Sequence, residues 1–357
     1  MFSRIISIRM LLLSRKRKWQ TVFALLLLAG FLYTLILNKH STEYGTFGPN
    51  YLEVNDPQLI KECNCHRSIQ IPKGLSLSRP ASTNDVLQAI ESTHGVSTCS
   101  VEATLRGPGQ YVVSFSSFGS FPSEYFDGIP PIIEQVRTLY PGWVMRLYHD
   151  LDIHEEHHRA WLCHLACTNP HLDLCNIRNL TGLGDISSSY GQIWRMAVMG
   201  DPLVKYYMIR DSDAPILQRE VDAVQQWLDS KKCFHAMRDH PWHGVPMLGG
   251  MWGGCSWWQP HNISKTMMLQ LINSTTKKKQ DQPRLWKYVW PTAKKSMLMH
   301  DSYTCKRYPE SIPFPTQRVN GTFVGSRRYR SRYKNDNISR PCPEACRPAD
   351  HKDWKIC

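Results

Sequence analysis

The run from Trp19 to Leu37 contains no charged residue, and it sets the topology within which the rest of the chain must fold. At about 1.5 Å per residue it is long enough to cross the apolar core of a bilayer. Six cations, Arg4, Arg9, Arg15, Lys16, Arg17 and Lys18, precede it with no acid among them, and they account for almost half of the net charge of +13. Positive charge upstream of an apolar span holds the N-terminus in the cytosol. A cleaved signal peptide has a shorter apolar run and a small-residue cleavage site, and neither is clear in this segment. The expectation is a cytosolic tail over residues 1–18, a transmembrane signal anchor over 19–37, and everything from 38 to 357 in the lumen of the secretory path. That compartment excludes nucleic acid as a partner.

Two features downstream agree with a lumen. Sequons stand at Asn179, Asn262, Asn273, Asn320 and Asn337, and such sites accept glycans only in the secretory path. All twelve cysteines lie beyond the apolar run. An even number of cysteines in an oxidising compartment reads as disulfides. The spacings Cys63-X-Cys65, Cys163-X3-Cys167 and Cys342-X3-Cys346 leave zinc as an alternative, and spacing alone gives no connectivity.

Residues 38–106 are rich in Ser, Thr, Pro and Asn and read as a stem. They hold one helix over Asp85–Glu91, capped by Thr83 or Asn84, and Cys63, Cys65 and Cys99 tether part of the segment to the globular domain. From Gly107 short apolar strands alternate with helical patterns. Strands are expected at Tyr111–Phe115, Val144–Tyr148, Leu172–Asn176 and Val204–Ile209. Helices are expected at Ile132–Leu139, Gly191–Met199 and Leu217–Leu228. Such alternation predicts an α/β fold with a mixed, mostly parallel sheet flanked by helices. The domain spans residues 107–326, and a basic, Cys-containing tail covers 327–357. Its cations, from Arg327 to Lys334, suit an anionic glycan or lipid headgroups, or form a solvated tail.

The strand at Val204–Ile209 runs into Arg210-Asp211-Ser212-Asp213. In an extended chain residues i and i+2 point to the same side, so Asp211 and Asp213 face one site while Ser212 turns away. The carboxyl end of a strand is where an α/β sheet places its ligand. Paired carboxylates suit Mg²⁺ or Mn²⁺, which take carboxylate together with phosphate oxygens. The alternative is a solvated acidic turn. Arg195 and Arg210 are the nearest groups for a bidentate phosphate contact. The glycines at 249, 250, 253 and 254 would let backbone approach a ligand closely.

The block from Trp194-Arg195 through Arg210–Asp213, Met237–His243 (MRDHPWH) and Leu248–Gly253 (LGGMWG) resembles a family of glycosyltransferase-like proteins, most of them uncharacterised. The resemblance covers roughly 110–325. More distantly the chain is similar to the DXD-containing sugar transferases that include lactosylceramide galactosyltransferase and the yeast-type outer-chain mannosyltransferase. It implies a GT-A-like nucleotide-sugar-binding domain in a single-pass type II Golgi membrane protein. Asp211 and Asp213 would be the DXD carboxylates that hold Mn²⁺ (or Mg²⁺) against the diphosphate of a nucleotide sugar, and His300 would complete the metal shell, with Asp301 competing for that place. Ser114, Arg195, Arg210, Arg238, Gly249 and Gly250 would line the donor. Asp239, in the MRDHPWH block, would touch the transferred sugar or act as the base toward the acceptor hydroxyl. Asp281-Gln282 is similar to a pair near the acceptor pocket of related transferases, although Lys277–Lys279 beside it suggest an exposed loop. The implied reaction moves a sugar, from a UDP-sugar, to a luminal glycan or glycoconjugate. The competing expectation is a transferase-like lectin or scaffold without turnover. His154–His158 matches the His-Glu-X-X-His metalloprotease pattern, but its polar run and the lack of a third ligand nearby argue against a zinc site.

Overall fold

A computed structural model describes residues 51–55, 63, 65, 67–72, 82–258, 262–273, 281–327 and 338–357. Residue contacts divide the chain into Met1–Gly48 and Pro49–Cys357. The expected anchor at Trp19–Leu37 lies outside the described residues, and among those described no helix is long and apolar enough to cross a membrane.

The strands in chain order are β1 (Tyr51–Asn55), β2 (Ser68–Pro72), β3 (Gln110–Ser117), β4 (Val144–His149), β5 (Leu172–Asn176), β6 (Val204–Arg210), β7 (Phe234–Arg238), β8 (Met251–Cys255) and β9 (Met297–Asp301). The principal helices are α1 (Thr83–His94), α2 (Val101–Leu105), α3 (Ile129–Leu139), α4 (Glu156–Thr168), α5 (Gly191–Trp194, continued as a 3₁₀ turn over Arg195–Gly200), α6 (Gln218–Asp229) and α7 (Ile263–Ile272). β1 and β2 pair antiparallel. The other seven strands form one sheet in the order β5-β4-β3-β6-β8-β7-β9. Within it only β8 runs against its neighbours. The result is the mixed, mostly parallel α/β sheet expected from the alternation.

Each element has a cause in its local chemistry. β6, between parallel β3 and antiparallel β8, buries every residue but Lys205, as an interior strand covered on both faces does. α3 starts on Pro130 and Pro131, which need no N–H partner in a first turn, and buries Ile129, Ile132, Ile133 and Val136 along one stripe. α1 is longer than its apolar pattern suggests. Ser82, not Thr83 or Asn84, caps it, in a reciprocal capping box with Asp85. The expected helix at Gly191–Met199 tightens to a 3₁₀ turn from Arg195.

β7, β8 and β9 add three strands to those expected. β8 is hard to see because it carries Gly253 and Gly254, residues that weaken a strand reading. A Cβ at Gly253 would crowd Met208 and the Tyr207 carbonyl, and one at Gly254 would enter the Tyr207 ring. These two glycines therefore admit neighbouring side chains of β6, not a ligand.

The six disulfides are Cys63–Cys163, Cys65–Cys167, Cys99–Cys175, Cys233–Cys255, Cys305–Cys346 and Cys342–Cys357. No cysteine is left free for zinc. The described part of the 38–106 segment is tied into the sheet domain by the first three pairs and by a small core of Ile69, Val86, Ile90, Leu105 and Leu203. The sequon asparagines at 179, 262, 273 and 320 are exposed, and Asn337 lies outside the described residues.

Candidate active site

The strand order reverses between β3 and β6, and Asp211 stands at the carboxyl end of β6. A crevice at such a reversal is where open α/β sheets bind ligands. Because β8 is antiparallel, its start lies beside the end of β6, with Arg210 opposite Met251. That pairing brings Gly250 to Asp211.

Arg195 organises the site. Ser114 Oγ, from the middle of β3, donates to the Arg195 carbonyl at 2.8 Å and fixes the start of the 3₁₀ turn. Arg195 Nη1 donates to Asp211 Oδ1 at 2.6 Å and to the Arg210 carbonyl at 2.7 Å. Its Nη2 stands 3.7 Å from Asp281 Oδ2. The Arg195 side chain is 3% exposed, that of Asp211 41% and that of Asp281 11%, so a buried cation presents an accessible carboxylate. Arg195 Nε and Nη2 are buried without a hydrogen-bond acceptor. Asp213 is reached from the tail, where Arg327 Nε lies 3.6 Å from its Oδ2.

The three carboxylates titrate differently. Burial pushes Asp211 up, but Arg195 and Arg210 overcome it and hold the carboxyl below its ordinary range. Burial and the nearby Asp211 charge raise Asp213, against Arg327. Burial raises Asp281 too, aided by Asp211 and opposed by Arg195. Asp211 thus raises both of its neighbours, while Arg195 and Arg327 oppose it. The two glycines are required by this crowding. A Cβ at Gly250 would collide with the Asp211 carboxylate, and one at Gly249 with that of Asp281. The backbone at 249–250 does make a close approach, but to the acidic side chains of the site.

Several expected site residues are elsewhere. Arg210 is fully buried, ion-paired with Glu220 at 2.8 Å, and donates to the Gly250 carbonyl at 2.7 Å, so it supports the loop from behind. Arg238 is spent on Asp301 (2.7 Å), the Pro246 carbonyl (2.8 Å) and Ser311 (2.6 Å). It therefore holds the far half of the sheet together and does not face the diphosphate position assigned to it. Asp239 is fully buried. It accepts from Arg219, from Arg318 at 2.7 Å, from Ser302 Oγ at 2.6 Å and from the Val324 N–H at 2.9 Å. Burial would raise Asp239, but Arg219 and Arg318 keep it low. A carboxylate saturated in this way has no lone pair for an acceptor proton, which corrects the expectation of a base at 239.

His300 is likewise corrected. It is buried in β9, with Nδ1 2.8 Å from His235 Nε2 and Nε2 2.9 Å from Gln226 Oε1. Both ring nitrogens are committed, and among the described residues no group of three or more His, Cys, Asp or Glu side chains could hold a metal ion. Asp301 folds back on its own turn, accepting from the backbone of Tyr303 and Thr304 at 2.8 and 2.6 Å. The metalloprotease pattern fails for a local reason: α4 begins at Glu156, after His154, so the two histidines do not share a helix face.

Asp281 is the acid that sequence reasoning undervalued. Lysines 277–279 beside it suggested a solvated loop, yet Asp281 is 9% exposed and opens a helical turn against Arg195. Its pairing with the 211–213 segment joins distant parts of the chain, and only the Asp-Gln resemblance pointed to it.

No protein-family model matches the chain, and no curated protein does. Among solved structures it is similar to a glycosyltransferase involved in the glycosylation of the major capsid of PBCV-1, with 18% identity over 56% of this chain and 88% of that one, at a TM-score of 0.31. It is also similar to S. aureus TarS residues 1–349, with 10% identity over 39% of this chain and 38% of that one, at a TM-score of 0.27.

Proposed function

We propose that the chain is a metal-dependent glycosyltransferase that moves a sugar from a nucleotide-sugar donor, a UDP-sugar, to a glycan or glycoconjugate acceptor. The observation that carries this reading is the gathering of three acids and two cations at the carboxyl end of β6, Asp211 and Asp281 on Arg195 and Asp213 on Arg327. A site for a diphosphate needs hard oxygens for a cation and a cation for the phosphates, and this arrangement supplies both. Arg327, 46% exposed beside Asp213, is the cation of the cluster open to phosphate oxygens.

Asp211 and Asp213 are the residues that would hold Mn²⁺ or Mg²⁺. Such ions are bound by one or two carboxylates plus substrate phosphates, so no all-protein cage is required. When bound, the ion supplies Lewis-acid stabilisation of the negative charge that grows on the diphosphate. The chain's own residues do the rest. Arg195 orients the Asp211 carboxylate through its 2.6 Å hydrogen bond, and the Gly249–Gly250 backbone lies against the Asp281 and Asp211 carboxylates. In the net reaction the acceptor oxygen bonds to the anomeric carbon and the bond from that carbon to the diphosphate oxygen breaks. Its electron pair leaves with the nucleoside diphosphate. The hydroxyl proton passes to a base, for which Asp281, raised by its burial, is suited.

The anchored, luminal Golgi placement belongs to the same reading. Six disulfides and four exposed sequon asparagines are features of a protein matured in the secretory path.

Incubation of the purified protein with a panel of nucleotide sugars, in Mn²⁺ and in EDTA, is the test. Mn²⁺-dependent release of nucleoside diphosphate from one donor is expected. Asp213→Asn should lower that release at least ~100-fold, about 2.7 kcal/mol of barrier, without changing the melting temperature. No release from any donor by the unaltered protein would sink the proposal, and an unaffected Asp213→Asn variant would remove that residue from it.

A further inference from the structure

Beside the carboxylates lies a cleft of about 270 Å³. Pro246 and Met247 form one wall, and Gln282, Pro283, Trp286 and Trp290 the other. The indoles of Trp286 and Trp290 are stacked, with centroids 6.3 Å apart and planes 16° from parallel. Trp286 is 54% exposed. The turn that carries it, Leu285–Val289, is π-helical. Such turns are rare and are frequent at functional sites. An indole pair left facing water beside apolar Pro and Met side chains, with one amide at the rim, has the composition of a small-ligand pocket.

Both walls lead directly into the candidate active site. The first continues through Leu248 to Gly249 and Gly250, which abut Asp281 and Asp211. The second begins at Asp281, 3.7 Å from Arg195. Asp281 therefore stands between the 211–213 acids and the cleft. A ligand lying on the indoles would sit beside Asp281, whose chain neighbour Gln282 lines the cleft.

We propose that this cleft is the acceptor subsite, holding one sugar ring of the receiving glycan with its apolar C–H face on Trp286 and Trp290 and a hydroxyl on the Gln282 amide. A pyranose has one such face and a rim of hydroxyl groups, matching an aromatic floor with a polar edge. This inference rests on the glycosyl-transfer reading for its place in a reaction but predicts binding by itself.

The test uses two probes on the purified protein: a glycan array, and UDP with Mn²⁺ by calorimetry. The unaltered protein should bind a subset of glycans. Trp286→Leu should lower that signal at least tenfold. Gln282→Ala, at an exposed position, should lower it several-fold, and both variants should bind UDP within twofold of the unaltered protein. Equal glycan binding by the Trp286→Leu variant, or no glycan binding by the unaltered protein, overturns the assignment. So does a tenfold loss of UDP affinity in that variant, which would give the cleft to the nucleobase. If the unaltered protein binds glycans through Trp286 but neither binds UDP nor turns over a donor, the cleft stands and the transferase reading falls.

Discussion

Two adjacent glycines make the residue-level case. Gly249 and Gly250 each lie against a carboxylate, so that the side chain of even an alanine displaces Asp281 or Asp211 from its present position. Gly250→Ala must push either the Asp211 carboxylate or the start of β8. Overpacking of this sort costs about 1–3 kcal/mol. The expected outcome is a fall in donor turnover of at least tenfold, together with that loss in urea-unfolding free energy. Gly253→Ala is the natural comparison. Its Cβ would meet Met208 and Tyr207 in the interior, so it should lose similar stability but far less turnover. Equal losses of activity in both variants would show that Gly250 is only a packing residue. The contrast also explains why a glycine-rich sequence is ambiguous: the same residue type serves a core contact and a site contact within one short stretch.

At the scale of elements, the far half of the sheet is held by buried polar groups. β7 carries His235 and Arg238, and β9 carries His300 and Asp301, all of them fully or nearly fully buried. Burial keeps His300 neutral, with Arg219 adding to the effect, and pushes its pKa down to about 3. Burial, with His158, lowers His149 at the end of β4 to about 4. His235 is also lowered, by burial and by His300. In the unfolded chain each titrates near ~6.5. Between that value and the folded pKa the unfolded state takes up protons that the native state refuses, so stability falls as pH falls. Each histidine should cost about 2 kcal/mol at pH 5 relative to pH 7. The melting temperature should therefore drop over this window, and His300→Gln should flatten the slope. A melting temperature independent of pH from 7 to 5 would contradict the buried neutral imidazoles.

For the molecule as a whole, the two disulfides from Cys63 and Cys65 are the joint between the early segment and α4. They close loops of sequence separation 100 and 102. With either one intact the long loop stays closed, so its partner adds little chain entropy. Replacing one pair by alanines should cost about 2 kcal/mol, and removing the second a further ~4 kcal/mol. Urea unfolding of the two single-pair variants and of the four-cysteine variant measures the inequality. Additive, equal costs would mean that the two bonds restrain different parts of the unfolded chain.

Local chemistry is enough for the parts of this protein that depend on near neighbours. The alternation of apolar strands and helices predicts the parallel half of the sheet, with β5 placed over Leu172–Asn176 as found. The i, i+2 spacing after β6 singles out Asp211 and Asp213 as acids to watch, although the chain turns there instead of staying extended, with the Ala214 N–H directed at the Asp211 carbonyl. The even cysteine count predicts disulfides, and all twelve cysteines are paired. Tertiary structure alone decided what the acids meet. It turned Asp239, His300 and Arg238 inward, where arginines and amides consume their lone pairs and donors. It also brought Asp281 and Arg327 to the 211–213 acids from distant parts of the chain. The reason is that a side chain's role depends on what fills the space beside it. For residues tens of positions apart, sheet order and loop path set that space, and neither is written in a local pattern.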